Sequence, residues 1–408
     1  MRFVLLATAA WALLSFVHPD AALFLGFVAI MAILMHADRA NVRREGLMFI
    51  RRTQRGKVLI NRVAKSRRLW SAMGYAGIAV GVLAMVLITI WLAFNAYGIV
   101  TKQATTGGAG IILPGPVDSP VSAPGLFIIP WWIWLIGITA VVVPHEFMHG
   151  VMCRIDKVRI KSVGWAFLLF IPAAFVEPDE AQLNRAKTRT RLNVYAAGSF
   201  ANLMVAALLL VFLVSVSSVF TQAGTAFPVI EGTPAHAAGL AGHAIVSING
   251  VPIGGVDGVK AVLSRSKSGD TVDILARKIV DMRPVSVFSQ GISASQGVLV
   301  GEERAFFVTL ADNNGTAFLG VLGKGEFPAY VTSLSGEALS VYNVIFWIYV
   351  FSIGIGLFNL LPMKPLDGGP FFETLLGKVT KRAAAITRYV SMLMLMLLLI
   401  NIFGPYVF

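Results

Sequence analysis

The chain has 408 residues, of which 56% are hydrophobic and 13% are charged, and its mean hydropathy is +0.75. This composition excludes an ordinary soluble protein. It predicts a multi-pass α-helical membrane protein of about six to seven transmembrane segments, with room for one soluble domain. The single cysteine, Cys153, excludes an intramolecular disulfide.

The excess positive charge is concentrated near the start of the chain. The net charge is +13, and residues 38–68 alone hold eleven basic and two acidic residues. Nucleic-acid binding is one interpretation, but a short basic loop between hydrophobic spans is typical of a cytoplasmic loop. We therefore predict no nucleic-acid partner and a basic cytoplasmic segment at residues 37–70. Within it, residues 47–63 are expected to form an amphipathic helix on anionic lipid.

Hydrophobic stretches on either side of this segment predict further elements. Apolar runs at residues 3–17 and 21–36 are each short for a full span, so residues 1–36 are expected to form a hydrophobic hairpin. Residues 71–99 are a clear transmembrane span. Residues 100–125 are rich in Gly, Pro, Thr and Ser and nearly uncharged, which favours an external loop.

The motif His145-Glu-Phe-Met-His149 carries the chemistry of the chain. Histidines four residues apart lie on one face of a helix and can close on one divalent metal, usually zinc. Glu146, about 100° around the helix, can reach a metal-bound water without being a ligand, as a metalloprotease general base does. The motif ends an apolar stretch, residues 125–152, where such side chains are costly and indicate function. A chance match is the alternative, and the metal interpretation requires a third ligand.

The segments after the motif predict the rest of its surroundings. A cluster of basic residues places the motif toward the cytoplasmic side; these are Arg154, Lys157, Arg159 and Lys161. Residues 163–176 are apolar but too short to span, so we expect a re-entrant segment, in the form of a β-hairpin. Residues 192–219 span again, and Gly198 and Asn202 there have the spacing of close helix packing. Residues 126–220 would form the first part of a catalytic core.

The hydropathy pattern changes at residues 221–327 to one that is typical of a soluble α/β domain. An alternating strand ends in an Asn249-Gly250 turn, which is typical of a β-hairpin. The segment at residues 231–240 resembles the core of a PDZ domain, and residues 281–300 would then be an insertion. The sequence therefore predicts an inserted α/β PDZ-like domain.

A third ligand is available after this domain, in the second part of the core at residues 338–408. A span at residues 341–361 runs into Asn359-Leu-Leu-Pro-Met-Lys-Pro-Leu-Asp367-Gly368, whose prolines break the helix. Asp367 near the bilayer needs a cation, and zinc would give a His-His-Asp site with one open position. The alternative is that Asp367 caps a turn with Gly368. The final span is residues 383–403.

Together these motifs resemble the site-2 protease family of intramembrane zinc metalloproteases. The resemblance covers residues 127–376 and includes the PDZ-like insertion between core spans. It implies that His145, His149 and Asp367 bind one catalytic zinc ion and that Glu146 is the general base. It also implies supporting roles in transition-state or substrate positioning for Asn202 and Asn359.

The function implied is hydrolysis of peptide bonds in transmembrane protein or peptide substrates within the lipid bilayer, by a zinc-activated water. A substrate strand is expected to pair with residues 163–176. The active site would face the cytoplasm and the PDZ-like domain the outside, in a cell membrane that is expected to be prokaryotic. The rival functions are a membrane metal transporter or receptor, which needs no base such as Glu146, and a catalytically silent PDZ scaffold. The sequence names neither a substrate nor an oligomeric state.

Overall fold

The structure is a computed structural model that describes residues 19–104, 108–115, 121–123, 125–168, 171–290 and 293–408. The chain forms two compact units. One, here called the helical unit, comprises Met1–Leu209 and Trp347–Phe408; the other, called the sheet unit, is Leu210–Phe346.

The helices of the described residues are numbered in chain order. They are α1 (Pro19–Ala37), α2 (Gln54–Val63), α3 (Arg67–Val100), α4 (Trp131–Ile155), α5 (Glu180–Arg185), α6 (Thr188–Val216, followed by a 3-10 turn at Ser217–Val219), α7 (Pro234–Ala237), α8 (Val256–Leu263), α9 (Gly336–Asn359), α10 (Gly368–Leu376) and α11 (Ala383–Val407).

The strands are numbered in the same way. They are β1 (Val42–Glu45), β2 (Met48–Arg52), β3 (Ile111–Gly115), β4 (Val121–Ala123), β5 (Leu126–Pro130), β6 (Ile160–Leu168), β7 (Ile171–Pro178), β8 (Phe220–Ala226), β9 (His243–Ile248), β10 (Val251–Pro252), β11 (Thr271–Gln290), β12 (Ser293–Thr309), β13 (Ala311–Asn313), β14 (Thr316–Phe318) and β15 (Phe327–Thr332).

Five of the described helices are long and apolar enough to cross a membrane: α3, α4, α6 with its 3-10 turn, α9 and α11. They correspond to five of the six to seven predicted segments. The apolar part of α1, Ala22–Ala37, is shorter, and the first predicted run, residues 3–17, lies outside the described residues. Large apolar side chains such as Phe94 (71% exposed) and Leu208 (69%) cover the outer faces. Such surfaces are stable only in lipid or against a partner.

A four-stranded antiparallel sheet in the helical unit has the order β1-β2-β6-β7. Its β6–β7 hairpin occupies the segment predicted to be β-like, while the depth of that hairpin in the membrane stays a prediction. The predicted amphipathic helix at residues 47–63 is wrong in its first part, because Met48–Arg52 is a strand and the helix begins only at Gln54. Gly46, with a φ of +64°, allows the turn between β1 and β2. The strand β2 then pairs with β6 on its other side.

A second correction concerns the residues before α4. Residues 100–125 were expected to be a loop and 125–152 a continuous apolar span. Instead, β3 and β4 lie in the predicted loop, and Leu126–Pro130 is the central strand of a sheet with the order β3-β5-β4. The helix starts at Trp131 because Pro130 takes an extended conformation at its N-cap. The β-branched pair Ile128-Ile129 also suits a strand.

The C-terminal half of α4 is held by a buried apolar cluster. It contains residues of α2, α4, β6, α5 and α6, namely Ile60, Met148, Val151, Met152, Cys153, Ile155, Val158, Ile160, Val163, Leu183, Val194, Ala197 and Ala201. Gly150 permits the approach of α2, because a Cβ there would lie 2.6 Å from Ile60 Cδ1. This cluster fixes the helix that carries the motif.

The sheet unit is built on six strands in the order β10-β9-β11-β12-β15-β8, and a further β8–β9 pairing closes five of them into a ring. Its interior contains fully buried side chains such as Leu240, Ile248 and Ile274. The predicted turn at Asn249-Gly250 joins β9 to β10 with positive φ angles of 49° and 75°. Within the predicted insertion at residues 281–300, the described residues extend the antiparallel pair of β11 and β12. The PDZ-like assignment of this unit stays a prediction.

Replacing Gly164 tests the packing of the four-stranded sheet. A Cβ at Gly164 would meet the Arg51 carbonyl oxygen and lie 2.7 Å from the Phe175 ring. We expect Gly164→Ala to destabilise the protein by ~1–3 kcal/mol through overpacking, seen as a lower apparent Tm in detergent. Gly354→Ala is the matched control, because a Cβ there meets nothing within 4 Å. Equal Tm values for the two variants would contradict the described packing.

Candidate metal centre

Two histidine side chains converge in the C-terminal half of α4. His145 and His149 lie one helical turn apart, and their Nε2 atoms are 3.2 Å from each other. Both residues are buried, at 6% and 9% exposure. The helical spacing read from the sequence therefore brings both imidazoles to one point.

Asp367 reaches the same point from another element. The chain leaves α9 at Asn359 and α10 begins after Asp367. The carboxylate makes no capping hydrogen bond to α10, so the alternative role as a turn cap is not the one observed. Instead, its Oδ2 lies 3.1 Å from the Nε2 of both His145 and His149. Gly368 permits this approach, since a Cβ there would collide with the Leu361 carbonyl oxygen.

The hydrogen bonding of His149 determines which of its nitrogens faces the centre as an acceptor. Its Nδ1 lies 2.7 Å from the carbonyl oxygen of Val194 in α6. A carbonyl oxygen only accepts, so Nδ1 carries the proton and the neutral ring presents a bare lone pair at Nε2. That lone pair faces a carboxylate oxygen and a second ring nitrogen. A metal ion between these atoms satisfies all of them, and in its absence a proton on one Nε2 donates to Asp367.

Asn202 holds the distal nitrogen of the other ring. Its Nδ2 lies 3.1 Å from His145 Nδ1, and its Oδ1 is buried without a hydrogen-bond partner among the described residues. Turning the amide over about its last bond places Oδ1 where it accepts from His145 Nδ1–H. Both rings then direct bare Nε2 atoms to the centre, which is the tautomer that metal ligands require.

The three inner atoms fit a metal ion of the size of zinc. His145 Nε2, His149 Nε2 and Asp367 Oδ2 are separated by 3.1, 3.1 and 3.2 Å, and these residues form a possible ligand group. Tetrahedral bonds of ~2.0–2.1 Å require ligand atoms roughly 3.3–3.4 Å apart. Three ligands also leave a fourth position open, which is the composition of a catalytic rather than a structural site.

Glu146 lies beside this group but outside it. Its Oε2 accepts a hydrogen bond of 3.0 Å from the backbone N–H of Val176 in β7. The carboxylate is half-buried. The structure thus ties the β6–β7 hairpin to the residue predicted to be the general base.

Gly198 on α6 packs directly against both imidazoles. A Cβ built on it would lie 2.5 Å from the Nε2 atoms of His145 and His149. Only glycine lets α6 approach this closely. The sequence spacing of Gly198 and Asn202 predicted close helix packing. In the structure, Gly198 packs against the two histidine ligands.

An ion-pair network fixes the start of α6. Asn193 Nδ2 donates to Asp156 Oδ2 at 2.9 Å, and Arg189 lies 3.5 Å from the same carboxylate. Arg189 also donates to the Tyr75 hydroxyl at 2.7 Å and stacks 4.8 Å above its ring. Because Asn193 precedes Val194, this network positions the carbonyl that orients His149.

Asn359 is the predicted site residue that the structure links least to the centre. It ends α9, is half-buried, and its side chain forms no hydrogen bond within the described ranges. Two contacts that sequence reasoning missed are backbone groups, the Val194 carbonyl and the Val176 N–H. Backbone groups carry no residue signature, so no sequence signal could have identified them.

Known proteins share sequence similarity with this chain. The sequence pattern of Peptidase family M50 matches residues 133–400, about two thirds of the chain. An uncharacterized protein of Methanocaldococcus jannaschii is 25% identical over 340 residues, which cover 81% of this chain and 78% of that protein. A protein of Clostridium perfringens, provisionally named a zinc metalloprotease, is 24% identical over 299 residues, or 61% and 88% of the two chains. The chain belongs to Peptidase family M50, the site-2 protease family.

Proposed function

We propose that this protein is an intramembrane zinc metalloprotease that hydrolyses peptide bonds of transmembrane substrates. The family assignment supports a membrane metalloprotease in general. The observation that carries the finer proposal is the convergence of His145, His149 and Asp367 with a carboxylate, Glu146, that stands outside the ligand group.

In this proposal His145, His149 and Asp367 hold one zinc ion. When bound, zinc supplies Lewis acidity, lowering the pKa of a water to ~7 and polarising a carbonyl group. The surrounding residues orient the ligands. Val194 and Asn202 fix the rings of His149 and His145, and α6 packs closely against one side of the centre at Gly198.

Glu146 moves the proton. As general base its carboxylate takes a proton from the attacking water, and as general acid it delivers that proton to the leaving amine. The Val176 N–H holds Oε2 in place. Asn359 is proposed as a donor to the developing oxyanion, worth up to ~3 kcal/mol for a well-placed group. Asn202 is proposed to act through His145 instead.

The free edge of β7 is the proposed docking strand for substrate. A transmembrane helix hides its peptide bonds, so a substrate must unwind, and pairing with an edge strand satisfies its freed backbone groups. Val176 directs its N–H away from β6 toward Glu146. Outward N–H groups alternate along an antiparallel strand, so Ala174 directs its N–H the same way.

The proposed topology follows from charge. Basic residues in residues 38–68 and 154–161 support a centre that faces the cytoplasm. The proposal of a prokaryotic cell membrane rests instead on the single cysteine, which excludes intramolecular disulfides. The sheet unit would be a PDZ-like domain on the external side, acting as a size filter or as a receptor for a trimmed substrate end.

Glu146→Gln separates the protease from a metal transporter. We expect one zinc per chain in the parent and the variant, and at least a ~10²-fold loss of cleavage in the variant because the base is gone. The probe is a synthetic transmembrane peptide rich in Leu and Ala, in detergent, with products identified by mass spectrometry. Exposed Glu180 provides the control, Glu180→Gln, which should cleave normally. One zinc per chain without cleavage by the parent would favour metal binding alone.

Gly198→Ala tests the geometry of the ligands. The added methyl group must displace both imidazoles, so we expect zinc affinity to fall by ~10-fold or more, comparable to loss of a supporting contact. Affinity is measured by competition with a chromogenic chelator. Gly354→Ala should bind zinc like the parent, and unchanged affinity in Gly198→Ala would remove these residues as the ligand set.

Ala174→Pro tests the docking strand. Proline removes an outward N–H while leaving the β6–β7 ladder bonds intact. We expect slower cleavage of the transmembrane peptide, with zinc content and apparent Tm unchanged. Ala174→Ser keeps the N–H and is the control. Equal rates for the two variants would show that substrate does not pair with β7.

A further inference from the structure

The helical unit contains an apolar cavity of about 480 Å³ beside the metal centre. Its walls come from α1 and the residue after it, β2, α4 and the β6–β7 hairpin. The residues that line it are Met31, Met35, Asp38, Arg51, Thr139, Val142, Val143, Trp165, Ala166, Phe167, Pro172, Ala173 and Ala174. Apart from Thr139 and the Asp38–Arg51 pair, these side chains are apolar.

The cavity is lined by residues of α4 that lie within two turns of the proposed general base, Glu146. Thr139, Val142, Val143 and Glu146 are spaced so that they share one face of α4, and Val142 lies one turn, ~5.4 Å, before Glu146. The cavity is also lined by Pro172, Ala173 and Ala174 of β7, the strand whose Val176 donates to Glu146. A group in the cavity therefore lies next to a chain that is bound at Glu146.

Helix α1 forms the far wall and is fixed at both ends. Near its start, Phe24 and Phe27 contact the Trp131 ring, with centroids 5.4 and 5.7 Å apart. At its end, Asp38 pairs with Arg51, whose guanidinium lies 6.0 Å from the Trp165 ring centre.

The ion pair at the end of α1 stays charged at neutral pH. Hydrogen bonds from the side chains of Asn41 and Arg51 hold the pKa of Asp38 below its ordinary value. The cavity is lined by Met31 and Met35, which lie on α1 between its two anchored ends.

The size and chemistry of the cavity fit large apolar side chains. A cavity of ~150 Å³ is enough to bind benzene, so this one exceeds the need of a single Phe, Leu or Met. Val143 is 50% exposed, so its wall is open to an incoming group. Small residues on β7, Ala173 and Ala174, leave the space unfilled.

We propose that this cavity is a specificity subsite that receives a large apolar side chain of the substrate, and that α1 is its outer wall. The inference rests on the proposed protease function. An extended chain advances ~3.3 Å per residue, so one turn of α4 corresponds to the second or third residue from the scissile bond. This gives α1, which precedes the residues matched by the family pattern, a role in substrate choice.

Filling the cavity from α1 tests the subsite. The probes are synthetic transmembrane peptides that differ only in having Gly, Ala, Leu or Phe at the second and third positions from the cleavage site. We expect the parent to prefer Leu or Phe over Gly by at least tenfold, and Met35→Trp to lose that preference. Ile33→Trp is the matched control, since Ile33 lies elsewhere on α1 at 66% exposure, and it should retain the parent's preference. A Met35→Trp enzyme with the parent's preference would overturn the subsite.

Photo-crosslinking to the Glu146→Gln variant gives a readout that needs no cleavage. A transmembrane peptide with benzophenone at successive positions should crosslink to Met31 or Met35 from one or two of them. Crosslinks without any cleavage by the parent would support the subsite and contradict the protease. No crosslink from any position would overturn the subsite. Labelling of these methionines by a photoactivatable phospholipid, unaffected by excess peptide, would also overturn it, because a lipid chain would then occupy the cavity.

Discussion

The convergence of three acceptor atoms in a buried site is the constraint on which the helical unit depends. Two imidazole nitrogens and a carboxylate oxygen within 3.2 Å repel one another unless a metal ion or a shared proton lies between them. The surrounding helices meet this constraint together. α4 supplies the rings, α6 supplies the carbonyl and amide that orient them, and the turn before α10 supplies the carboxylate.

The sequence predicted the ligand set because its signal is local and chemically specific. His145, Glu146 and His149 follow helical spacing, and Asp367 was found because a carboxylate in an apolar segment needs a partner. The structure brings the three ligand atoms together, but Asn359 has no contact that defines its role. The backbone contacts of Val194 and Val176 could not be predicted, because they arise from tertiary packing.

The wrong secondary-structure predictions also arise from contacts between residues that are distant in sequence. Residues 48–52 were assigned to a helix, yet their conformation is set by pairing with β6, more than a hundred residues later in the chain. Local periodicity holds no information on such a partner. The long spans and the Asn249-Gly250 turn were predicted correctly because length, composition and turn chemistry are local properties.

The pairing of β8 with β15 has a consequence for how this architecture arose. Phe220, at the start of the sheet unit, is paired with Thr332, near its end, so the two chain ends are roughly 5 Å apart. A domain whose ends meet can be inserted into a helical hairpin in place of an ordinary loop. Lineages could therefore gain, exchange or lose this unit by recombination at a single loop while the metal centre stayed unchanged.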